Sequence, residues 1–478
     1  MSEANGAHIK PQWSAQELAD ITGGRLVDVD AAVRIVGICT DSRTIESAEA
    51  FLAIRGERFD GAEFAAVAVA HGAVLVIAEC ELPGLPTLVV DSCVAAYAAI
   101  AHHHLARLRA SGDVKVVGIT GSSGKTSTKD MLVSVLASSL RVTFPQGSFN
   151  NDIGLPATVL TADESTQVLV LEMGMRGLGH IERLCSIAPP DISVILNVGL
   201  AHVGEVGSIE AIAEAKSEIV RFAREGAATV LNADDHRVRQ MAALAHGEVV
   251  YFGQEVSDAF HGIGPKVRAS EVSIDERARA SFTLSIGTGA DAARVALHVS
   301  GEHQVANALA VSAVAHVLGF STEQIAVALS KARIASDWRM DVVSTRAGVT
   351  VINDAYNANP QSMAAGLRAA ASMSRGGRLI AVLGDMLELG DSADAQHRLL
   401  GEFATEMNVD SLYFVGDGGT EVQAGFPSAM TVETWQQAAA SVTDQAQPGD
   451  VVFIKASRGV GLERVAAELI EAFGRVDS

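Results

Sequence analysis

The run Lys115-Val-Val-Gly-Ile-Thr-Gly-Ser-Ser-Gly-Lys-Thr-Ser127 decides how the middle of this chain folds. Its first six residues, Lys115–Thr120, are mainly apolar, which is typical of a buried strand. A glycine-rich loop and a helical pattern that begins near Ser127 follow directly. Backbone N–H groups in such a loop turn toward an anion, and the N-terminus of the next helix adds a favourable dipole. The run therefore predicts a strand, a phosphate-binding loop and a helix.

The loop follows the pattern of a nucleotide phosphate site with one departure. The motif G-x-x-x-x-G-K-[ST] has glycine where this chain carries Ile119, and Gly121 supplies the flexibility two residues later. We expect Lys125 to reach the β- and γ-phosphates and the Thr126 hydroxyl to bind Mg²⁺. The alternative is a glycine-rich turn with a surface lysine, which the strand–loop–helix setting disfavours. The residues of this loop expected to bind ATP are Gly121, Ser122, Ser123, Gly124, Lys125, Thr126 and Ser127.

Patterns on either side of the loop predict three α/β domains. Short mixed segments indicate a small N-terminal domain over residues 1–90. Strand and helix patterns alternate over residues 91–337, which predicts a central P-loop ATPase-like domain with a parallel sheet. Alternating polar and apolar residues at 271–300 predict added antiparallel strands. A new alternation over residues 338–478 predicts a Rossmann-like C-terminal domain, with polar loops after its strands.

Composition disfavours several classes of protein. The 478 residues include 57 acidic and 36 basic side chains, and the net charge of −21 argues against a nucleic-acid-binding surface. No apolar run approaches the roughly 18 residues of a membrane span, and the first residues lack the apolar core of a signal peptide. The four cysteines form no C-x-x-C pair, as expected of reduced thiols. We therefore expect a soluble cytoplasmic protein.

Two residues beyond the loop, Glu172 and His202, are candidate metal ligands, and a third polar residue, Lys216, follows them. Glu172 ends the apolar strand 168–171, where an acid beside a phosphate loop either holds Mg²⁺ or caps a turn. His202 follows another strand, and spacing alone favours a loop hydrogen bond over a metal ligand. Lys216 lies in a helical pattern over residues 208–224, where a lone lysine normally faces solvent. The residues by themselves leave a metal-binding role open for Glu172 and His202 and do not single out Lys216.

Stretches along the chain resemble the Mur ligase family and occur in the order of that family. Those in the two later domains are Thr120–Ser127, Ser148–Pro156, Leu171–Gly174, Ala201–His202, Ala215–Glu218, Gly301–Ala308, Asp354–Met363, Leu383–Gly390 and Lys455–Arg458. Two more, Thr40–Arg43 and Phe51–Gly56, match the nucleotide-sugar domain of the family. The resemblance covers nearly the whole chain and implies that the N-terminal domain binds the UDP part of a substrate.

The resemblance implies ATP-dependent amide-bond formation. A substrate carboxylate would attack the γ-phosphate of ATP to give an acyl phosphate and ADP, and an amine would then displace phosphate. The run Asp354–Pro360 is most specific to members that join D-alanyl-D-alanine to UDP-N-acetylmuramoyl-tripeptide in peptidoglycan precursor synthesis. The expected partners are therefore these two substrates and ATP, and the expected cofactors are two Mg²⁺ ions. We expect the enzyme to act as a monomer.

The resemblance also implies catalytic and metal-binding roles. The residue that matches Lys216 is carbamylated in the family and, with the residue that matches His202, holds the second Mg²⁺. The residue that matches Glu172 serves the Mg²⁺ near the ATP phosphates. The expected catalytic residues are Lys125, Glu172, His202 and Lys216, and the expected metal ligands are Thr126, Glu172, His202 and Lys216.

Further contacts carry over from the same stretches. Asn307 matches an adenine-binding asparagine, and Arg339 matches a phosphate-binding arginine that follows Trp338, where many members carry glycine. ATP is also expected to contact Asp354 and Asn357. The expected substrate-binding residues are Asp41, Ser42, Arg43, Asn150, Asn151, Tyr356, Asn359, Lys455, Ser457 and Arg458. For Asp41 and Arg43, a buried salt bridge is the alternative.

Two rival functions are less consistent with the sequence. Other ligases of the family add a diamino acid to the growing peptide or glutamates to folate, and the run Asp354–Pro360 argues against both. A phosphate-loop kinase or nucleotide-binding module without ligase activity would leave the large C-terminal domain without a task.

Overall fold

The computed structural model describes residues 12–56, 59–145, 147, 149–201, 203–256, 264–287 and 291–476. Within these residues, sheets of five, nine and six strands follow one another along the chain, and a short two-stranded pair precedes them. Helices lie between most of the strands. The predicted α/β class, with a largely parallel central sheet, is confirmed.

The N-terminal sheet has the strand order β2-β7-β6-β5-β4 and is parallel except where β2 pairs with β7. A capping box between Ser14 and Glu17 starts the first helix, because it satisfies backbone N–H groups that the helix leaves unpaired. The elements are β1 (Trp13–Ser14), α1 (Ala15–Thr22), β2 (Arg25–Val27), β3 (Arg34–Ile35), β4 (Ile38–Cys39), β5 (Ala50–Leu52), a 3₁₀ turn (Gly61–Phe64), α2 (Ala65–His71), β6 (Leu75–Ala78) and β7 (Thr87–Val89).

The helix α3 (Cys93–Ser111) joins the N-terminal sheet to the central one. Its buried side chains, such as Tyr97 and Leu105, belong to a single apolar core that extends from Trp13 in the N-terminal domain to Leu169 and Ile219 in the central domain. Burial of this apolar surface is the main term that stabilises the arrangement. The first two domains are therefore packed as one body.

The central sheet has the order β16-β15-β14-β13-β12-β11-β8-β10-β9. It is parallel from β9 through β14, and β14–β16 add the predicted antiparallel strands. Its elements are β8 (Lys115–Thr120), α4 (Lys125–Leu136), β9 (Val142–Thr143), α5 (Gly154–Val159), β10 (Val168–Glu172), α6 (His180–Ile187), β11 (Ile192–Ile195), α7 (Val203–Val206), α8 (Ile209–Arg221), β12 (Ala228–Asn232), α9 (His236–Gln240), a 3₁₀ turn (Met241–Leu244), β13 (Val249–Gly253), β14 (Lys266–Ile274), β15 (Arg279–Ile286), β16 (Asp291–Ser300), α10 (Gln304–Val317) and α11 (Thr322–Leu329).

The position of β8 in this sheet creates the site. It lies between β10 and β11, and all three strands run parallel, so their carboxyl ends meet at one edge. Glu172 pairs in register with Ile119, and Ile195 pairs with Thr120. Loops that follow these strands therefore converge, as is usual for ligand sites of open α/β sheets.

The C-terminal sheet has the order β17-β18-β22-β19-β20-β21 and is antiparallel only between β17 and β18. Because β18 and β22 are neighbours, the loops that follow them lie side by side. The elements are β17 (Asp341–Ser344), β18 (Thr350–Asn353), α12 (Pro360–Met373), β19 (Leu379–Gly384), a 3₁₀ turn (Gly390–Ser392), α13 (Ala393–Glu406), β20 (Ser411–Val415), α14 (Gly419–Gly425), β21 (Met430–Val432), α15 (Trp435–Gln445), β22 (Val451–Lys455), a 3₁₀ turn (Arg458–Val460) and α16 (Glu463–Phe473).

None of the helices that the structure describes is long and apolar enough to cross a membrane.

Candidate active site

A cavity of about 530 Å³ lies between the central and C-terminal domains. One wall is the phosphate loop with the N-terminus of α4. The facing wall comes from the loops after β18 and β22. Most of the predicted ATP-binding and substrate-binding residues line it, namely Ser122, Ser123, Gly124, Lys125, Thr126, Ser127, Asn150, Asn151, Glu172, Asn307, Arg339, Asp354, Tyr356, Asn357, Asn359, Lys455, Ser457 and Arg458.

The phosphate loop is shaped by Asn197, which the sequence analysis did not select. Its Oδ1 accepts a hydrogen bond from the Ser123 N–H at 2.9 Å, and its Nδ2 donates to the Ser123 carbonyl at 3.2 Å. The Ser122 hydroxyl accepts a hydrogen bond from the Gly199 N–H at 2.8 Å. The only available signal was that Asn197 follows β11, the strand next to β8. The side chains of Ser122 and Asn197 thus fix the curvature of the loop.

Gly124 is the position where the loop depends on glycine. Its φ is +84°, in the left-handed region, and α4 begins at the next residue, two residues before the predicted start. A Cβ atom there would lie 2.6 Å from Asn307 Oδ1. Asn307 is buried on α10, and its amide donates to Gln304 Oε1 at 2.8 Å. The predicted adenine-binding asparagine therefore packs directly against the phosphate loop.

We expect Gly124→Ala to weaken ADP binding by roughly tenfold, because the left-handed conformation costs a side chain about 1–2 kcal/mol and the new methyl group meets Asn307. Isothermal titration with ADP measures this change. Gly84→Ala is the matched control, since Gly84 has a similar φ of +75° and no heavy atom within 4 Å of an added Cβ. Equal affinities in both variants and the wild type would contradict this account of the loop.

Lys125 points back into the phosphate loop. Its Nζ donates a hydrogen bond to the Gly121 carbonyl at 2.5 Å. Burial lowers the pKa of Lys125, the negative charge of Glu172 opposes that shift, and the neighbouring Arg339 adds to it. The Lys125 side chain is therefore held within the loop.

Glu172 is fully buried at the end of β10, next to the Thr126 hydroxyl. That hydroxyl donates to Glu172 Oε2 at 3.1 Å and accepts a hydrogen bond from Arg339 Nη2 at 2.8 Å. Burial raises the pKa of Glu172, while Lys129, Arg339 and Lys125 act in the opposite direction. Glu172 Oε1 is buried without a hydrogen-bond partner. An orphaned carboxylate oxygen beside a hydroxyl is a donor set that fits Mg²⁺.

Lys129 is a second residue that the sequence analysis missed. Its ammonium is buried, pairs with Asp130 at 3.0 Å and lies 3.8 Å from Glu172 Oε1. It also donates to the carbonyls of Pro145 and Gly147 at 3.3 and 3.1 Å. Its place one helical turn after Lys125 was the signal that could have identified it. Lys129 thus balances the charge of Glu172 and anchors the segment that leads to the asparagine pair.

Lys216 does not face solvent, so the alternative of a solvated helix lysine is wrong. Only 1% of the residue is exposed, because α8 packs its inner face into the central core. Burial, together with the charge of Lys125, lowers the pKa of Lys216 well below its ordinary value. His202, the other predicted ligand of the second metal, lies outside the described residues. Among the described residues, no three His, Cys, Asp or Glu side chains form a ready-made metal site.

Asn150 and Asn151 lie near the end of β10, and the Asn151 side chain makes hydrogen bonds within its own segment. The Asn150 carbonyl accepts a hydrogen bond from the Gly174 N–H at 2.9 Å. Asn151 Oδ1 accepts hydrogen bonds from the N–H groups of Ile153 and Gly154, at 3.2 and 2.8 Å. Asn151 therefore holds the start of α5 while both asparagines line the cavity.

The loop after β18 is held by Lys455. Its Nζ lies 2.6 Å from Asp354 Oδ2 and donates to the Asn357 carbonyl at 2.9 Å. Only 4% of the Lys455 side chain is exposed. Lys455, expected to bind substrate, is thus engaged within the protein and orders the loop.

Asn359 connects the two walls of the cavity. Its Oδ1 caps α12 by accepting from the Ser362 N–H at 2.9 Å, and its Nδ2 donates to the Ser122 carbonyl at 3.3 Å. Ser457 holds a neighbouring loop, since its hydroxyl accepts from the Leu387 N–H at 2.9 Å. The start of α12 is therefore tied to the phosphate loop.

The predicted UDP-binding residues are separate from this cavity. Asp41, Ser42 and Arg43 follow β4 in the N-terminal domain and do not line it. The Arg43 guanidinium lies 2.6 Å from the Asp41 carboxylate and lowers its pKa to about 2. The Arg43 side chain is exposed and that of Asp41 is partly exposed. The ion pair of the alternative prediction is therefore present, but it is not buried.

Comparison with known proteins identifies the family. The model described as "Mur ligase family, catalytic domain" matches residues 34–102, "Mur ligase middle domain" matches 119–315, and "Mur ligase, glutamate ligase domain" matches 338–458. The chain belongs to the Mur ligase family and is therefore an ATP-dependent ligase.

Individual relatives are similar over their whole length. The UDP-N-acetylmuramoyl-tripeptide–D-alanyl-D-alanine ligase of Mycobacterium tuberculosis is 41% identical, over 96% of this chain and 98% of the relative. The Bacillus subtilis ligase of the same name is 32% identical over the same shares. A crystal structure of MurF from Acinetobacter baumannii has a TM-score of 0.87 at 32% identity, covering 97% of this chain and 100% of that one. MurF from Thermotoga maritima in complex with ADP has a TM-score of 0.80 at 29% identity, covering 91% and 97%.

Proposed function

We propose that this protein joins D-alanyl-D-alanine to UDP-N-acetylmuramoyl-tripeptide, with conversion of ATP to ADP and phosphate. One observation carries the proposal: a phosphate loop and a buried acid, Glu172, face the Asp354–Asn359 loop across one cavity. The relatives that are similar over nearly the whole chain bear the name of this activity.

The proposed reaction has two steps. An oxygen of the tripeptide carboxylate attacks the γ-phosphorus of ATP, the bond to the β-phosphate oxygen breaks, and ADP leaves. The amine of D-alanyl-D-alanine then attacks the acyl carbon, loses a proton, and displaces phosphate. Phosphorylation is needed because a free carboxylate has no adequate leaving group. Closure of the cavity would exclude water, which would otherwise hydrolyse the acyl phosphate.

The residues of the cavity have defined tasks in the first step. Two anions must approach each other, and the cationic side chains of Lys125 and Arg339 offset their repulsion. The N–H groups from Gly121 to Ser127 bind the phosphates, and Asn307 orients the adenine. We assign Asn150, Tyr356 and Arg458 to the peptide substrates, and Asp41–Arg43 to the uridine diphosphate.

Two Mg²⁺ ions complete the proposed site. When bound, they neutralise phosphate charge and polarise the transferring group. Thr126 and Glu172 would hold the first ion, and His202 and carbamylated Lys216 the second. The neutral amine that burial favours at Lys216 is the form that reacts with CO₂, and the product is a carboxylate-like ligand. The buried Oε1 of Glu172, which has no hydrogen-bond partner, supports the first position.

Each of the three domains has a proposed task. We assign residues 1–90 to binding of the UDP substrate, 91–337 to ATP, and 338–478 to ligation. We further propose that the enzyme acts as a monomer in the cytoplasm, where ATP and nucleotide-linked precursors are available. Sedimentation velocity of the purified chain tests the monomer.

Phosphate release tests the activity. With ATP and UDP-N-acetylmuramoyl-tripeptide present, we expect D-alanyl-D-alanine to raise the rate of phosphate release by at least about tenfold, because the amine completes the second step. A panel with a diamino acid and with glutamate in place of the dipeptide distinguishes the rival ligases. A rate of ATP hydrolysis that none of these amines changes would favour the nucleotide-binding module instead.

A further inference from the structure

The segment that joins the central and C-terminal domains has an unusual backbone at Trp338. Its φ is +59°, in the left-handed region that bulky side chains rarely adopt. The Trp338 carbonyl accepts a hydrogen bond from the Tyr356 N–H at 3.2 Å. Glycine would adopt this conformation without strain. Trp338 therefore combines a strained backbone with a bulky indole ring, and the contacts of that ring indicate what it contributes.

The ring of Trp338 begins a series of stacked side chains that ends at the phosphate loop. The guanidinium carbon of Arg458 lies 4.1 Å from the centre of the Trp338 ring and 6.0 Å from that of Tyr356. On Tyr356 lies a second guanidinium, that of Arg339, at 4.1 Å. Arg339 Nη2 in turn donates to the Thr126 hydroxyl at 2.8 Å. Rings and cations thus alternate from the domain junction to the residue that follows Lys125.

We propose that Trp338 is a positioning residue that fixes Arg339 at the phosphate loop. Its ring holds Arg458, and the two guanidinium groups confine Tyr356, on which Arg339 rests. A long arginine side chain loses much conformational freedom when it binds, and stacking on an aromatic face removes that freedom beforehand. The inference rests on the proposed function, because it gives Arg339 the γ-phosphate of ATP as its target.

Three variants at Trp338 distinguish the effect of the indole ring from the effect of the backbone strain. Trp338→Phe keeps an aromatic face, Trp338→Leu keeps an apolar side chain without one, and Trp338→Gly removes both ring and strain. We expect Leu and Gly to lower kcat and the affinity for the ATP analogue β,γ-imido-ATP by about tenfold, in the range of a desolvated cation–π contact. Phe should stay within about twofold of wild type. Affinity for ADP, which lacks the γ-phosphate, should not change.

Two further measurements make the test decisive. Thermal midpoints should rise or stay level in Trp338→Gly although its activity falls, whereas a merely structural role would make activity follow stability. Trp435→Leu is the matched control, because Arg464 lies 6.0 Å from that ring and neither residue lines the cavity. Its kcat should equal that of the wild type.

Equal affinity of the Leu and Phe variants for the analogue, or an equal loss with ADP, would overturn the inference. A wild-type protein that binds the analogue but makes no amide would overturn the proposed function instead, and the binding comparison would still decide the role of Trp338.

Discussion

Lys125→Ala should abolish ADP formation in the presence of both substrates, with a fall in kcat of at least about 10²- to 10³-fold. Lys125 is the cation of the phosphate loop, and its ammonium already lies inside the loop on the Gly121 carbonyl. Without it, the repulsion between the attacking carboxylate and the γ-phosphate is no longer offset at that position. A coupled assay for ADP measures the change.

The fold should survive this substitution, since Lys125 is only partly buried and makes no ion pair among the described residues. Circular dichroism and the thermal midpoint check that point. Lys115→Ala is the matched control, because Lys115 begins β8, the strand before the loop, and pairs with Asp113 at the surface, where an ion pair contributes little. Wild-type turnover by Lys125→Ala protein would show that the loop has been misinterpreted.

Lys216→Ala should lower kcat by about 10²-fold or more, because it removes the proposed carbamate that holds the second Mg²⁺. Burial lowers the pKa of the Lys216 amine, which favours the neutral form that a reaction with CO₂ requires. Intact-protein mass spectrometry under native conditions should detect an added carboxylate on the wild type. Acetate or another short-chain acid should restore part of the activity by occupying the space of the missing carbamate.

Rescue by acetate distinguishes a missing ligand from a damaged fold. The same acid should not rescue Lys125→Ala, where the lost group is a cation. Removal of CO₂ and bicarbonate from the buffer should slow the wild type and leave Lys216→Ala unchanged. Full activity of Lys216→Ala without any added acid would contradict the metal-bridging role.

Local sequence patterns predicted much of this structure. Buried strands such as β8 and β10 are continuous apolar runs in the sequence. The glycine-rich loop after β8 predicted the helix that follows it. The family and the three-domain α/β fold, recognised from short stretches in order, are confirmed by the matches over residues 34–102, 119–315 and 338–458.

Other features depend on contacts between distant segments, which local patterns do not contain. Lys216 is an exception, because Ile212, Ile219 and Val220 lie at helical spacing from it and indicate that its face of α8 is the buried one. Lys129 and Asn197 act on groups that lie far along the chain, at Glu172 and Ser123. Lys455 forms an ion pair with Asp354, about a hundred residues earlier in the chain. The sequence alone does not show this ion pair, so a contact with substrate was expected of Lys455 instead.

The continuous apolar core beneath α3 also affects how the molecule unfolds. The first two sheets share that core, whereas the C-terminal sheet packs mainly in two other clusters, one of which also includes Ala278 of the central domain. Among the described residues, the three large sheets therefore form two packed units, and loss of the smallest domain would expose the core of its neighbour. We therefore expect heat denaturation to pass through a state in which one unit is unfolded, in which case no single free energy of unfolding describes the whole protein.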